Sequence, residues 1–536
     1  MLAALLLAGA GTAPARPLER AAPRLADLRV GNGGSPFAGD RRLFATVSPN
    51  RDGLRDRAIV SFRLPTREHV EIEAVRTETF QRGVARFERV IWSYSAYLGA
   101  GAHRIRWRPP TSIELRTYIL RLTVSGPGGE RVYGDYPPTF HPHVDAPVVR
   151  MLGVAMSFGQ RSYAPGTSAR VTIATDAHSL ELQVLGFRKN PPAVKIDQAT
   201  GAAPVGPAAW IDWRGHRNAP HTVRVQGAAN LPTGLYFLRA TAGDGRVGYA
   251  PFIVRPRPAK RHRVAVVLPT NTWQAYNFED GNHDGWGDSW YVSSRIKSVD
   301  LKRAYVGNGV PRRFRELDMP FQRWLAATGR QVDVLSDDDL ERIRSGDALA
   351  ARYDLVVFPG HEEYVTPHEF SVVEQYRDLG GNLAFLSADN FYRRVDRRGA
   401  RIFRNLPWRE LGLPEAALVG VQYLNSDHCE RQGAYVVTGA LQAPWLFAGT
   451  GLVDGSRFGS FGCEIDASGP ASPPGTTVLA TIPDLFGPDH SAEMSHYETP
   501  DGAKVFAAGA LNFAGALGSP PVSQLLDNLW ARLSRP

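Results

Sequence analysis

The run GHEEY places together the side chains that acid–base and metal chemistry require. His361, Glu362, Glu363 and Tyr364 follow an apolar stretch and precede a segment with strong helix-start signals. Histidine acts as a base or a ligand near neutral pH, and tyrosinate needs a nearby cation to exist there. We therefore predict a functional loop, with His361 and Glu363 as catalytic residues. The alternative is a loop whose polar groups bond only to backbone.

A second polar group lies in the stretch LSADN, which contains Ser387, Asp389 and Asn390. A serine hydrolase would present its nucleophile in a G-x-S-x-G turn, which is absent here. A serine nucleophile is therefore not predicted. Asn390 follows an apolar run typical of a buried strand, and we expect it to be a catalytic residue.

The stretch DGNHDGWGD has the spacing of a calcium loop. Asp280, Asn282 and Asp284 stand at positions 1, 3 and 5, Gly285 at position 6 and Asp288 at position 9. Position 12 lacks the bidentate glutamate, so weak affinity is expected. We predict that the Asp and Asn side chains bind calcium in a structural role, with a plain Asx-rich turn as the alternative.

The two cysteines of the chain are Cys429 and Cys463. In an exported protein such a pair usually forms a disulfide, which would contribute about 3 to 4 kcal/mol by closing a loop of this length. Two buried free thiols are the alternative.

The elements that position these residues alternate between strand and helix from residue 262 onward. RVAVVLP, VDVLS, YDLVVFPG and NLAFLSADN are apolar runs typical of buried strands. MPFQRWLAATG is periodic at helical spacing, and TPHEFSVVEQYRDLGG has Thr366 as N-cap, Pro367 at N1 and Glu369 completing a capping box. This order predicts an α/β domain with an open, doubly wound parallel sheet.

Ligands of such sheets lie beyond the carboxyl ends of the strands. The segments expected there are 269–276, 360–364 and 387–390. The chemistry-bearing residues of GHEEY and LSADN fall in two of them, so we expect one shared site.

The chain before residue 262 has a different pattern. Short runs of alternating apolar and polar residues, such as AIVSFRL and YILRLTVSG, predict two β-sandwich modules of Ig-like type. The predicted organisation is a signal-like segment, a linker, two sandwiches and the α/β domain, at residues 1–16, 17–40, 41–145, 146–257 and 262–536.

Composition excludes two classes of partner. The net charge is +9, but acidic residues are interspersed with the basic ones and no basic block occurs, so nucleic-acid binding is not expected. No segment approaches 18 uninterrupted apolar residues, so no membrane span is expected. The short apolar run at residues 1–16 ends in small residues like a signal peptide, and we expect a secreted or cell-surface protein.

Seven phrases in order carry a resemblance to the N,N-dimethylformamidase large (beta) subunit family, over most of residues 262–536. They are TNTWQAYN, GHEEYVT, GGNLAFLSADNFY, GVQY, WLFAGTGL, GCEID and GAKVFAAGALNF. The resemblance implies a fold similar to class I glutamine amidotransferases. SPNRDGLRD resembles a turn of bacterial surface Ig-like modules. The LSADN turn has no cysteine, so thiol chemistry is not expected.

The resemblance also implies a mononuclear iron, held by two tyrosines and one carboxylate, that polarises an amide carbonyl and activates water. Tyr364 matches the family's tyrosine motif, Tyr276 or Tyr291 is the second tyrosine, and Glu464 is the possible carboxylate. With His361 as general base, this implies an exported hydrolase of small amide C–N bonds. The alternative is a non-catalytic surface or carbohydrate-binding protein. The expected partner is therefore a small amide or a surface glycan, and an oligomer is left open.

Overall fold

The structure of the chain is a computed structural model, and it describes residues 24–77, 88–137, 144–225, 231–257, 262–291, 295–427 and 429–534. Strands hold 39% and helices 16% of it, so the protein is mostly β-sheet. The signal-like segment predicted at residues 1–16 lies outside the described residues. No described helix has the length and apolar character that crossing a membrane requires.

The first sandwich packs a three-stranded sheet against a six-stranded sheet. Residues alternate between buried and half-buried along much of Glu68–Thr77, as expected for a strand with one face on the core. The smaller sheet contains Ala26–Gly31, Ala58–Leu64 and Gly101–Trp107. The larger contains Phe44–Val47, Val148–Met151, Thr117–Gly126, Glu68–Thr77 and Glu88–Leu98, with Gly129–Tyr133 beside Thr117–Gly126. Apolar residues of both sheets form one core.

Two strands of this sandwich differ from the predicted ranges. Ala26–Gly31 lies in the predicted linker, but its alternate residues are buried and it pairs with Ala58–Leu64. Val148–Met151 lies beyond the predicted end of the module at residue 145, yet it pairs in parallel with Phe44–Val47. Pairing with a distant segment places each of these strands in the sandwich. Such pairing leaves no local signal in the sequence.

The second sandwich also has two sheets around its own core. One contains Ala155–Phe158, Ala169–Ala174 and His221–Val225. The other contains Ser162–Tyr163, Val247–Val254, Gly234–Ala242, Ser179–Gly186 and Ala203–Pro204, with Ala209–Asp212 also on Ser179–Gly186. Single 3-10 turns lie at Ala193–Lys195 and Arg214–His216.

The largest sheet has nine strands among the described residues. Five are parallel and lie in the order Asp333–Ser336, Val264–Leu268, Leu355–Phe358, Asn382–Phe385 and Lys504–Ala507. The sheet then continues antiparallel through Ala492–Glu498, Thr477–Ile482, Gln432–Val437 and Arg457–Gly462.

The four strands predicted from apolar runs after residue 262 are confirmed, whereas a doubly wound sheet of parallel strands alone is not. Short connections such as the one between Ala492–Glu498 and Lys504–Ala507 form hairpins, because a parallel crossover needs a dozen or more residues. The sheet is therefore mixed, and an α/β amidotransferase-like domain is not supported.

The helices of this region are mostly short. The predicted capping box of Pro367–Asp378 is confirmed: Thr366 Oγ1 accepts from Glu369 N at 3.1 Å, and Glu369 Oε2 accepts from Thr366 N at 2.7 Å. The segment after Val264–Leu268 begins with a helical turn, Thr270–Ala275. The α-helices are Thr270–Ala275, Phe314–Leu317, Met319–Thr328, Asp337–Leu340, Gly346–Ala350, Pro367–Asp378, Ala416–Val419, Pro444–Phe447 and Pro520–Leu533, with 3-10 turns at Trp408–Leu411 and Ala514–Ala516.

Two small sheets complete the architecture. The four-stranded one has the order Ser298–Asp300, Arg401–Pro407, Arg393–Arg398 and Tyr364–Val365. The two-stranded one pairs Gln422–Ser426 with Glu464–Ala467. They hold Tyr364 and Glu464, which the parallel sheet itself does not contain.

Candidate metal centre

Three loops leave neighbouring parallel strands at the same edge of the nine-stranded sheet, after Leu268, Phe358 and Phe385. Hydrogen bonds fix the loops to one another. Glu363 N donates to Thr272 Oγ1 at 3.2 Å, and Phe391 N donates to the Glu362 carbonyl at 2.7 Å. The three predicted strand-end segments therefore meet at one place, as expected.

His361 is the centre of the cluster formed there. Its Nε2 lies 3.0 Å from Glu464 Oε2, 3.5 Å from Asp389 Oδ2 and 3.7 Å from Glu363 Oε2. The ligand atoms of His361, Glu363 and Asp389 lie within 4.8 Å of one another, and all three residues are buried. These three residues have the arrangement of a metal site.

Two tyrosines flank the cluster. The Tyr276 hydroxyl donates to Glu363 Oε2. The ring of Tyr364 lies edge-on to that of Tyr276, with centroids 5.8 Å apart, and Trp290 covers it at 4.7 Å. The Tyr291 ring is 5.3 Å from Tyr276. Tyr276 is thus the tyrosine whose hydroxyl contacts a carboxylate of the cluster.

Burial sets the protonation of these groups. It raises the pKa of Glu363, where the charge of Glu464 adds to the rise, and the pKa of Asp389, where the charge of Glu363 adds to it. Burial also raises the pKa of Tyr276 well above its ordinary value, and Glu363 adds to this. For His361 burial lowers the pKa, but Glu464 and the other carboxylates raise it by more, so that it stands well above its usual range. One imidazolium cannot balance three carboxylates, so the cluster holds either extra protons or a cation.

The donor set fits a metal ion. Carboxylate and phenol oxygens with one imidazole are the ligands that hard or borderline cations of the first transition row accept. Oδ1 of Asp389 is buried and finds no hydrogen-bond partner among the described residues, so it is available as a donor atom.

A cavity reaches the cluster. Tyr276, His361 and Glu464 line its inner end. The rest of the lining is formed by Thr272, Trp273, Tyr291, Arg312, Arg313, Leu317, Asp318, Cys429, Cys463 and Leu511. Burial raises the pKa of Asp318 to about 7. His361 and Glu464 both face this cavity.

The predicted disulfide between Cys429 and Cys463 is present and forms part of the cavity wall. Cys463 immediately precedes Glu464, and Leu511 N donates to the Glu464 carbonyl at 3.1 Å. The disulfide and this bond together position Glu464 against His361.

The polar residues of the LSADN turn differ in their contacts. Ser387 Oγ donates to the Leu511 carbonyl at 2.9 Å, so its hydroxyl holds the turn. Asn390 is buried, and its side-chain oxygen and nitrogen lack partners within the part of the chain that the structure describes. Asp389, which the sequence placed in this segment without a catalytic or ligand role, contacts His361, and its N–H donates to Asp466 Oδ1 at 2.8 Å. Its backbone has φ +56°, uncommon outside glycine, but no sequence signal marks this.

The predicted calcium ligands lie in a separate loop and mostly accept hydrogen bonds from it. Asp280 accepts from the N–H groups of Asp284 and Gly285 at 3.1 and 2.8 Å, and Asp284 accepts from Trp286 N at 2.7 Å. Asp288 accepts from Gly281 N and Asn282 Nδ2. The Asp280, Asp284 and Asp288 carboxylates do not bring three ligand atoms within 4.8 Å of one another. This is the pattern of an Asx-rich turn, and calcium binding stays a prediction.

The same loop joins two parts of the protein. Trp286 is buried in the core of the first sandwich, and its Nε1 donates to the Tyr136 carbonyl at 3.0 Å. His283 stacks on Phe44 with ring centroids 4.1 Å apart. A Cβ on Gly285, at φ +87°, would lie 2.3 Å from Ile119 Cγ1, so glycine is required where the loop docks. The loop has a structural role whether or not it binds a cation.

Comparison with known proteins gives one family. The family described as N,N-dimethylformamidase beta subunit-like, C-terminal, matches residues 204–524. No curated protein matches the chain.

Likenesses to solved structures are weak. Trypsin-activated alpha-2-macroglobulin from Escherichia coli is 11% identical over 43% of this chain and 17% of its own, with a TM-score of 0.23. Salmonella alpha-2-macroglobulin reacted with methylamine is 10% identical over 43% and 16%, with a TM-score of 0.21. The adhesin InvE of Yersinia pseudotuberculosis is 13% identical over 43% and 60%, with a TM-score of 0.14. The chain spans less than a fifth of the length of the macroglobulins, and scores this low do not indicate a shared fold.

Proposed function

Since the chain belongs to the N,N-dimethylformamidase beta subunit-like, C-terminal family, we propose that it is a metal-dependent hydrolase of small amide C–N bonds. The observation that carries the proposal is the convergence of Glu464, Asp389 and Glu363 on Nε2 of His361, at 3.0, 3.5 and 3.7 Å. Three buried carboxylates around one imidazole are stable when they coordinate a metal.

The residues that would hold the metal are Glu363, Asp389 and His361, whose ligand atoms already lie close together. Tyr276 would add a phenolate, because its hydroxyl contacts Glu363, and Tyr364 lies beside it. Iron is the metal we propose, since phenolate exists near neutral pH only beside a strongly charged cation.

A bound cation of this kind would polarise an amide carbonyl and lower the pKa of water. Glu464 is the residue best placed to move protons, because it lines the cavity and its side chain is 16% exposed, against 4% for Glu363 and 5% for Asp389. It would accept a proton from water as the C–O bond forms and return it to the leaving nitrogen as the C–N bond breaks. The products are a carboxylic acid and an amine.

These roles differ from the sequence-based prediction, in which Glu464 was a ligand and His361 the general base. Nε2 of His361 faces three carboxylates at once, which favours a ligand position. Glu464 faces the open cavity, which favours the base.

Export is part of the proposal. The signal-like run at residues 1–16 motivates it. The disulfide supports it, since such bonds persist mainly in oxidising compartments.

One observation favours the second candidate, a surface glycan-binding protein. Tyr97 and Trp210, on the two sandwiches, are 72% and 71% exposed, and exposed rings of this kind occur at binding surfaces. A protein of this type would bind glycans without turning over amides.

The test is amine release from a panel of small amides, including N,N-dimethylformamide, by the iron-loaded full chain. We expect release that stops on chelation and in Glu464→Gln, while the control Glu410→Gln, an exposed residue outside the cavity, keeps it. Failure of the loaded protein to release amine from any amide would overturn the proposal.

A further inference from the structure

Two consecutive arginines line the cavity that leads to the cluster. Arg313 Nη1 donates to Cys429 Sγ at 2.6 Å, and its Nε lies 2.8 Å from the exposed carboxylate of Glu316. The Arg312 guanidinium lies over the rings of Tyr291 and Phe278, 5.1 and 4.8 Å from their centroids. Both guanidiniums are therefore held by neighbours at the wall of the cavity.

Arg312 is exposed and Arg313 half-buried, whereas His361 is buried. The arginines thus lie towards the mouth, and the acidic cluster lies at the inner end. Charge changes sign along the cavity, from basic outside to acidic inside.

The cavity wall is not uniformly polar. The buried side chains of Trp273, Leu317 and Leu511 make part of its wall apolar. An apolar portion of a ligand would lie against these side chains.

We propose that the substrate is an amide that also carries a carboxylate, which Arg312 and Arg313 bind at the mouth while the amide reaches His361 and Glu464. Guanidinium groups match the planar carboxylate with paired hydrogen bonds. The inner carboxylates repel the same group, so the substrate enters in one orientation. This inference rests on the proposed function for the identity of the reacting bond.

The test compares two amides of equal size. N,N-dimethylsuccinamate carries the carboxylate, and N,N-dimethyl-4-methylpentanamide has an isopropyl group in its place. Binding is measured by calorimetry on the full chain carrying Glu464→Gln, which suppresses turnover, and kcat/KM is measured on the unaltered protein. Arg312→Gln removes one guanidinium, and Arg315→Gln, an exposed change on the adjacent helix outside the cavity lining, is the matched control.

We expect the carboxylate-bearing amide to bind about tenfold more tightly, the effect of one charge-assisted hydrogen bond. The preference should fall in Arg312→Gln, persist in Arg315→Gln and weaken with added salt, since exposed charges are screened. The salt dependence tests the inference even where a variant folds poorly.

The outcomes separate the two proposals. Equal binding of the two amides overturns the inference. So does a preference for the carboxylate-bearing amide that changes neither in Arg312→Gln nor with added salt. Arginine-dependent binding without hydrolysis supports the inference and overturns the proposed function. Hydrolysis of both amides with equal kcat/KM supports the proposed function and overturns the inference.

Discussion

Nε2 of His361 lies 3.0 Å from Oε2 of Glu464, and the two residues reach this contact from different sheets. His361 follows the parallel strand Leu355–Phe358, whereas Glu464 begins a strand of the two-stranded sheet. The contact therefore forms only when both parts of the region after residue 262 are folded.

Replacing Glu464 by Gln should lower kcat by about 100-fold or more, the contribution of a general base. The change keeps the size of the side chain but removes its basicity. Metal content per chain should stay unchanged, because Glu464 acts here as a base. Loss of the metal together with activity would show instead that Glu464 is a ligand, as the sequence resemblance suggested.

Replacing Tyr276 by Phe should weaken the visible charge-transfer absorption of the iron-loaded protein, since phenolate bound to ferric iron produces such a band. Tyr364→Phe should have a smaller effect, because it is the Tyr276 hydroxyl that donates to Glu363. Tyr97→Phe, at an exposed ring on the first sandwich, is the control. An unchanged spectrum in Tyr276→Phe would exclude that tyrosine as a ligand.

Stability should depend on pH through Asp284. Burial, with Asp280 adding to it, raises the pKa of Asp284 from 3.8 to about 8. The folded state thus keeps a proton that the unfolded chain releases near pH 4, so stability falls as pH rises between these values. We expect Tm in calcium-free buffer to fall over this window, and Asp284→Asn to reduce the slope.

Calcium can be tested in the same experiment. An ion bound by the loop would offset the repulsion of Asp280 and Asp284, so calcium should raise Tm at pH 8 in the unaltered protein and not in Asp284→Asn. The same Tm with and without calcium would leave the loop as an Asx-rich turn that docks through Trp286.

Replacing Cys429 and Cys463 together by Ser should lower the free energy of unfolding by about 3 kcal/mol, a typical value for a disulfide. It should also lower kcat, because Glu464 follows Cys463 directly and loses its support. Urea unfolding monitored by circular dichroism measures the first effect and amine release the second. Full activity in a destabilised variant would show that the disulfide does not position Glu464.

Local patterns predicted the elements after residue 262 well. The apolar runs predicted four of the five parallel strands, and the Thr366 capping box predicted the start of Pro367–Asp378, because these signals lie within a few residues of each other. The antiparallel half of the sheet was missed. The pairing of its strands depends on contacts between distant segments. The local pattern of apolar residues does not reveal such contacts.

The site was predicted in part. GHEEY and Glu464 were named from the sequence, and the structure brings His361, Glu363 and Glu464 together. Asp389 was missed as a ligand because its role depends on its backbone conformation at φ +56°. No recognisable sequence motif marks this turn. Arg312 and Arg313 were missed because the cavity they line is built from seven separate segments.

Metal-dependent hydrolysis requires that the cluster around His361 bind a metal. Elemental analysis of the full chain, expressed with export and dialysed against metal-free buffer, measures this binding in the unaltered protein, in Glu363→Gln and in Glu410→Gln. We expect about one equivalent of iron in the unaltered protein and in Glu410→Gln, and almost none in Glu363→Gln. If iron is absent from the unaltered protein, or is fully retained in Glu363→Gln, the cluster around His361 is not the metal site.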